Sequence, residues 1–347
     1  MLNRKLQNLQ KLRGVSALLV CCYHSRAFLN GDIQFGEILF KMGFIGVPIF
    51  FIISGLIMVH TTKELSSNTF RNVYDFLLKR IIRVVPLYYL CTIIFLLATN
   101  FKNFLDDGFV RIIKVFLFIP IGKWPPLDVG WTLNYEMFFY LLFGISFLFR
   151  EKRYIFIYFA ILILIFIVPL VVNEPLILYP YYYLFPKTYL DLIINPLLLF
   201  FLLGVFFGNT IVFFNFNTNL FKIYASFAIL IFILFYFNYI NFFQADLIIC
   251  GLLVHSTLLL DYTNIKLPIP KIFIYFGDIS YSIYLVHLIF IIYLPQFLTQ
   301  IGLIQFINTK IIFLLIIILT IVSSAILNEL IEKRFTKFLK NKLIRQN

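Results

Sequence analysis

Two residues of the string LRGVSALLVCCYHSRAF, Arg13 and His24, stand eleven positions apart inside an otherwise apolar run. A charged or ionisable side chain within a membrane span is costly, so each one asks for a reason. On a helix, eleven residues are close to three whole turns and rise about 16 Å, which puts both side chains on one face at different depths. An arginine near the inner surface suits an anionic ligand, and an imidazole deeper in suits proton transfer. The plainer alternatives are a topogenic anchor for Arg13 and a helix-to-helix contact for His24. Further along, LLKRIIRVVPLYYL sets Arg80 and Arg83 one turn apart, either as a phosphate clamp or as two more topogenic charges. The segment GWTLNYEMFFY places Glu136 about one and a half turns below the outer surface, beside Trp131 and Asn134. A carboxylate at that depth could orient or deprotonate a partner. GDISYSIYLVH carries Ser280, Ser282, Tyr284 and His287 at helical spacing, a face for a ligand or for gluing helices together. The run YPYYY at 179–183 could stack on sugar rings or belong to an aromatic belt.

The elements that position these residues are membrane spans. Of 347 residues, 62% are hydrophobic and 13% charged, with a mean hydropathy of +0.95. A soluble domain keeps about a quarter of its residues charged. The apolar residues gather in blocks long enough to cross the hydrocarbon core. Ten spans are predicted, near 12–30, 43–61, 81–100, 130–149, 154–173, 188–208, 219–238, 242–260, 273–295 and 308–331. The block 109–121, with Arg111 and Lys114, is too short to cross and reads as an interfacial or re-entrant helix. GVPIFFIISG in the second span, with Pro48 and Ser54, permits a bent helix and close backbone approach. Gly204 and Gly208 make one small-xxx-small step, read as ordinary helix packing. The four cysteines, Cys21, Cys22, Cys91 and Cys250, all fall in apolar blocks and read as small buried hydrophobes. No spacing suggests a metal site, a cleavable signal peptide or an internal repeat.

The net charge of +13 would suggest nucleic acid in a soluble protein; in a membrane protein it concerns sidedness instead. With the N-terminus cytoplasmic, 21 of the 29 basic residues fall on the inner side, a strong positive-inside bias. The expected architecture is therefore all-α: one polytopic membrane helix bundle over 1–347, both termini cytoplasmic, with a basic tail over 332–347.

Taken in order over nearly the whole length, these strings resemble acyltransferase family 3, the bacterial integral membrane O-acyltransferases that act on surface polysaccharides. The resemblance rests on Leu12-Arg13-Gly14 leading to His24, then GVPIFFIISG, KRIIRVVPLYYL, WTLNYEMFFY and SYSIYLVH, with Glu332 near the end. Pro48 stands where many members have Asp, Gln10-Lys11 replaces a frequent Asp-Gly pair, and Phe335 stands where a proline is common. The resemblance implies transfer of an acyl group, usually acetyl, from cytoplasmic acetyl-CoA to a hydroxyl of an extracytoplasmic or lipid-linked carbohydrate (O-antigen, capsule or exopolysaccharide). It implies that Arg13, Arg80 and Arg83 bind the phosphates of the donor. His24 is then general base or transient acyl carrier, with Glu136 setting its tautomer. Ser282, Tyr284, His287 and Trp131 are left for the acceptor or the oxyanion. The partners implied are that carbohydrate and the lipid bilayer of the inner membrane, with no metal and no nucleic acid. A transporter or flippase for lipid-linked sugars is the competing class, and it predicts movement without covalent change.

Overall fold

The computed structural model describes residues 6–62, 69–98, 109–179, 186–211, 218–242 and 244–344. Arg4, Lys5, Lys63, Lys102, Asp106, Asp107, Arg345 and residues 180–183 of the aromatic run lie outside them. Among the described residues the regular elements are helical, apart from one isolated bridge between Asn30 and Gln34. The principal helices are α1 (Gln7–Ser25), α2 (Gly46–Thr61), α3 (Thr69–Ala98), α4 (Phe109–Phe116), α5 (Trp131–Ser146), α6 (Arg153–Leu162) and α7 (Leu198–Thr210). They continue with α8 (Thr218–Tyr236), α9 (Ala245–Tyr262), α10 (Ile272–Asp278), α11 (Ser280–Gln300), α12 (Thr309–Leu327) and α13 (Thr336–Leu343).

Eight helical stretches among the described residues are long and apolar enough to cross a membrane, which makes the chain a polytopic membrane bundle. One of them, Asp128–Val171, runs for 44 residues, roughly twice what a crossing needs. It breaks at Arg150, whose φ of 49° no helix tolerates, so α5 and α6 form a hairpin closed by Phe149 stacked on Phe156 at 4.1 Å. These are the predicted spans 130–149 and 154–173. The first predicted span is the more polar α1, outside the eight. Phe159 and Leu170 are each 63% exposed, and Ile223 is 67% exposed. On helices of this hydropathy such side chains are the lipid-facing surface.

Two boundaries differ from the sequence expectation. The helix holding Lys79, Arg80 and Arg83 starts well before the predicted boundary at 81, because α3 begins at Thr69 and runs 30 residues through Pro86. An i,i+4 pair between Arg71 and Asp75 supports its polar first turns. The last span does not end near 331 either. A π-helical segment, Asn328–Phe335, carries it on into α13, so the basic tail is helical as far as Leu343. The block 109–121 is, as expected, too short to cross: α4 has eight residues, and the chain turns at Phe118, where φ is 56°.

The chain forms two compact units. The first comprises residues 1–59 and 203–324, and α1 is its spine. Gly14 lets α1 press onto α10: a Cβ there would lie 2.4 Å from the carbonyl oxygen of Phe273. A Cβ on Gly277 would likewise lie 2.1 Å from the oxygen of Gln10. The N-terminus of α1 is capped in trans, with both Asp261 carboxylate oxygens on α9 accepting backbone N–H groups, from Asn8 at 2.8 Å and Leu9 at 3.0 Å. Asn8 adds a side-chain bond to the oxygen of Ile265 at 2.7 Å, and Lys11 one to the oxygen of Leu267 at 2.8 Å. Asn8, Lys11 and Asp261 are all buried. Elsewhere in this unit Gly204 meets α2, where a Cβ would approach the Ile52 oxygen to 1.9 Å.

The second unit comprises residues 60–202 and 325–347. In it α3 packs against α5, and α13 packs against α3. Phe76, Phe143 and Phe147 form an aromatic core, with ring centroids 5.2–5.7 Å apart. The buried Arg153 guanidinium pins the turn before α6, donating to the Thr62 oxygen at 2.8 Å and to the Tyr154 hydroxyl at 2.6 Å.

Candidate functional site

In the first unit α1 and α11 lie side by side and run in the same direction. Arg13 donates to the Ser280 hydroxyl at 3.0 Å, at the start of α11. Further along, Ala17 and Cys21 pack with Ile279 and Ile283. At the far end the His24 ring faces His287, centroids 5.3 Å apart and planes tilted 48°. A shared direction agrees with the predicted topology, in which the first and ninth spans both run outward. The eleven-residue spacing of Arg13 and His24 does place both on the face turned to α11.

His287 is fully buried. Its Nδ1 lies 3.1 Å from the Ile283 carbonyl oxygen. A carbonyl only accepts, so Nδ1 carries the proton and Nε2 presents a lone pair. That Nε2 is buried with no hydrogen-bond partner among the described residues. A buried polar atom left in this way calls for an explanation, and a reacting partner is one. Tyr284 stands beside it, with its ring 6.1 Å from His287 and 6.3 Å from Phe50. Ser282 is fully buried on the same helix. The His24 ring is half-buried and lies edge-on to Tyr23 at 4.9 Å. Just beyond it Arg26 pairs with Glu37 at 2.9 Å and covers the Tyr23 ring.

The Arg13 end is a polar cluster. Arg13 also donates to Gln10 Oε1 at 3.3 Å, and Gln10 donates to Asp278 Oδ1 at 2.6 Å. The guanidinium is thus held in place by α1 itself and by Ser280, and the residue is half-buried.

The second unit holds Arg80, Arg83, Trp131 and Glu136. Arg80 is only 9% exposed, and its guanidinium lies over the rings of Phe76 at 5.3 Å and Tyr140 at 5.5 Å. It reaches the Thr61 hydroxyl at 3.4 Å. Arg83, one turn on, is half-buried. Glu136 accepts a short hydrogen bond from the Tyr140 hydroxyl, one turn along α5. Arg80, Tyr140 and Glu136 therefore form one connected group. Trp131 packs edge-on to Tyr135 and lines a narrow cleft with Tyr88, Lys123 and Asn134. Among the described residues no three His, Cys, Asp or Glu side chains converge as a metal ion would require.

Two participants escaped the sequence reading. Tyr140 could have been found from its i+4 spacing to Glu136. Asp261 gave no local signal, because the N–H groups it caps lie more than 250 positions away.

Residues 6–329 match the family model described as an acyltransferase domain, and the chain belongs to this family, acyltransferase family 3. It is also similar to the exopolysaccharide production protein ExoZ of Rhizobium meliloti (strain 1021). The two are 35% identical over 114 residues, covering 30% of this chain and 34% of the relative. The matched part thus spans about a third of that protein's length. No solved structure matches the chain.

Proposed function

We propose that this chain is a multi-pass O-acyltransferase of the inner membrane, with both termini cytoplasmic. It moves an acyl group, acetyl in the simplest case, from cytoplasmic acyl-CoA to a hydroxyl of an extracytoplasmic or lipid-linked carbohydrate. The observation that carries the reading is the pair of imidazoles formed by His24, at the end of α1, and His287, two turns into α11, with the unpartnered Nε2 of His287. His24 takes the proton of the acceptor hydroxyl as its oxygen attacks the thioester carbonyl. The new C–O bond forms, the C–S bond breaks, and the thiolate leaves with a proton returned by the imidazolium. While His24 is charged, the lone pair on His287 Nε2 gives its second N–H an acceptor, the part an aspartate plays in a hydrolase triad. Ser282 and Tyr284 are the donors assigned to the tetrahedral oxyanion. Arg13, about 16 Å below His24 on the same helix, marks where the anionic end of the donor stays while its thiol arm reaches inward. Within the second unit, Arg80 and Arg83 are the guanidinium groups suited to phosphate, with Tyr140 and Glu136 keeping Arg80 in place.

The carbohydrate acceptor is supported by the exopolysaccharide role in the name of the R. meliloti relative. The test compares the host's surface polysaccharide by mass spectrometry in strains with the gene, without it, and with His24→Ala. Loss of one acyl unit per repeat in both altered strains is the expected result. A His24→Ala protein that inserts and leaves acylation intact overturns the mechanism. Loss of exported polymer, with no change in acylation, puts the chain among the flippases.

A further inference from the structure

We infer that the C-terminal helix completes a phosphate-binding site at the start of the α3 span, where Lys340 joins Lys79, Arg80 and Arg83 to hold the phosphates of the donor. The inference rests on the donor reading above and adds to it a helix that the reading leaves idle.

α13 packs on α3, and its first residue, Thr336, is buried, with its hydroxyl bonded back to the Glu332 carbonyl oxygen. One turn further, Lys340 stands within electrostatic reach of Arg83, Arg80 and Lys79. Four cations thus meet where two helices of one unit cross. Like charges brought together by packing oppose it unless something offsets them. The neighbouring cations are already matched: Arg71 pairs with Asp75, while Lys333 and Arg334 both pair with Glu329. No carboxylate among the described residues pairs with Lys79, Arg83 or Lys340. Glu136 stands within electrostatic reach of Arg80 and accepts from Tyr140, whose ring lies against that guanidinium.

The cluster also has depth. Arg80 is a fixed, buried guanidinium against two rings, whereas Lys79 and Lys340 are exposed and Arg83 half-exposed. A rigid planar fork behind mobile ammonium groups suits a ligand with more than one phosphate. Coenzyme A carries a pyrophosphate and a phosphomonoester, roughly four negative charges, which balances four cations. An anionic lipid headgroup offers the same phosphate chemistry with about one charge.

The experiment measures binding of coenzyme A and of dephospho-coenzyme A to the full chain in phosphatidylcholine nanodiscs, and repeats it with phosphatidylglycerol added. Lys340→Glu is compared with Lys337→Glu, an exposed charge change on the same helix. The expected result is about tenfold weaker coenzyme A binding in Lys340→Glu, the loss of one charge-assisted contact. Lys337→Glu should bind as the parent does, and the preference for coenzyme A over its dephospho form should shrink only in Lys340→Glu. Undiminished coenzyme A binding by Lys340→Glu overturns this inference and leaves the donor reading standing. Loss of phosphatidylglycerol association alone assigns the cluster to lipid and also overturns it. A parent protein that binds neither nucleotide overturns the donor reading and this inference with it.

Discussion

Replacing Asp261 should loosen α1, the helix that carries Arg13 and His24. The first backbone N–H groups of a helix have no intrahelical acceptor. Here the donors of Asn8 and Leu9 are taken by the two oxygens of one buried carboxylate. Asp261→Ala leaves both donors buried and unmatched, at about 1–3 kcal/mol each, so roughly 4 kcal/mol in all. It also removes a negative charge from the positive end of the helix dipole, a further loss of about 0.3–1 kcal/mol. Asp261→Asn keeps one acceptor but turns an NH2 group toward the other N–H, for a loss of about 2–3 kcal/mol. The order alanine worse than asparagine, and both worse than parent, is the signature of a trans cap. Unfolding of the purified protein in mixed micelles, followed by circular dichroism against rising dodecyl sulfate, gives the comparison. An Asp261→Ala protein within about 1 kcal/mol of the parent refutes the reasoning, since no arrangement that leaves two buried N–H groups bare is that inexpensive.

Further outcomes follow from the same contacts. His287→Asn keeps a donor for the Ile283 carbonyl while deleting Nε2; acyl transfer should fall about 100-fold or more with unchanged folding, and a rate within threefold of the parent removes Nε2 from the mechanism. Tyr140→Phe strips Glu136 of its hydroxyl partner but keeps the ring over Arg80, so coenzyme A binding should weaken while the thermal midpoint stays near the parent's. Gly204→Leu drives a side chain into the Ile52 backbone, so it should lower expression and the melting midpoint; a well-folded variant would show that α2 and α7 can part there.

The fold was largely legible because hydropathy alone dictates it: apolar blocks of span length have to be helices in lipid. The Arg13–His24 face was legible too, since the geometry of one helix sets it. The start of α3 was missed because Thr69–Lys79 is amphipathic rather than apolar, and a hydropathy window passes over it. Gly204 was read as ordinary small-residue packing; the structure adds only its partner, the Ile52 backbone. Asp261 and Lys340 were invisible for another reason. Each is a polar residue near a helix end, where such residues are common, and only the tertiary fold supplies its partner.

The trans cap also has a consequence for biosynthesis. α1 leaves the ribosome well before α9, and the carboxylate that seats its opening turn is made about 250 residues later. Its neighbours α10 and α11 come later still. The helix bearing His24 therefore meets the segment at 43–46 early, but it stays uncapped through most of translation and is locked only after α9 has inserted. Any chain truncated before Asp261 keeps Arg13 and His24 in its sequence yet lacks the residue that seats them, which ties the appearance of the site to completion of the chain.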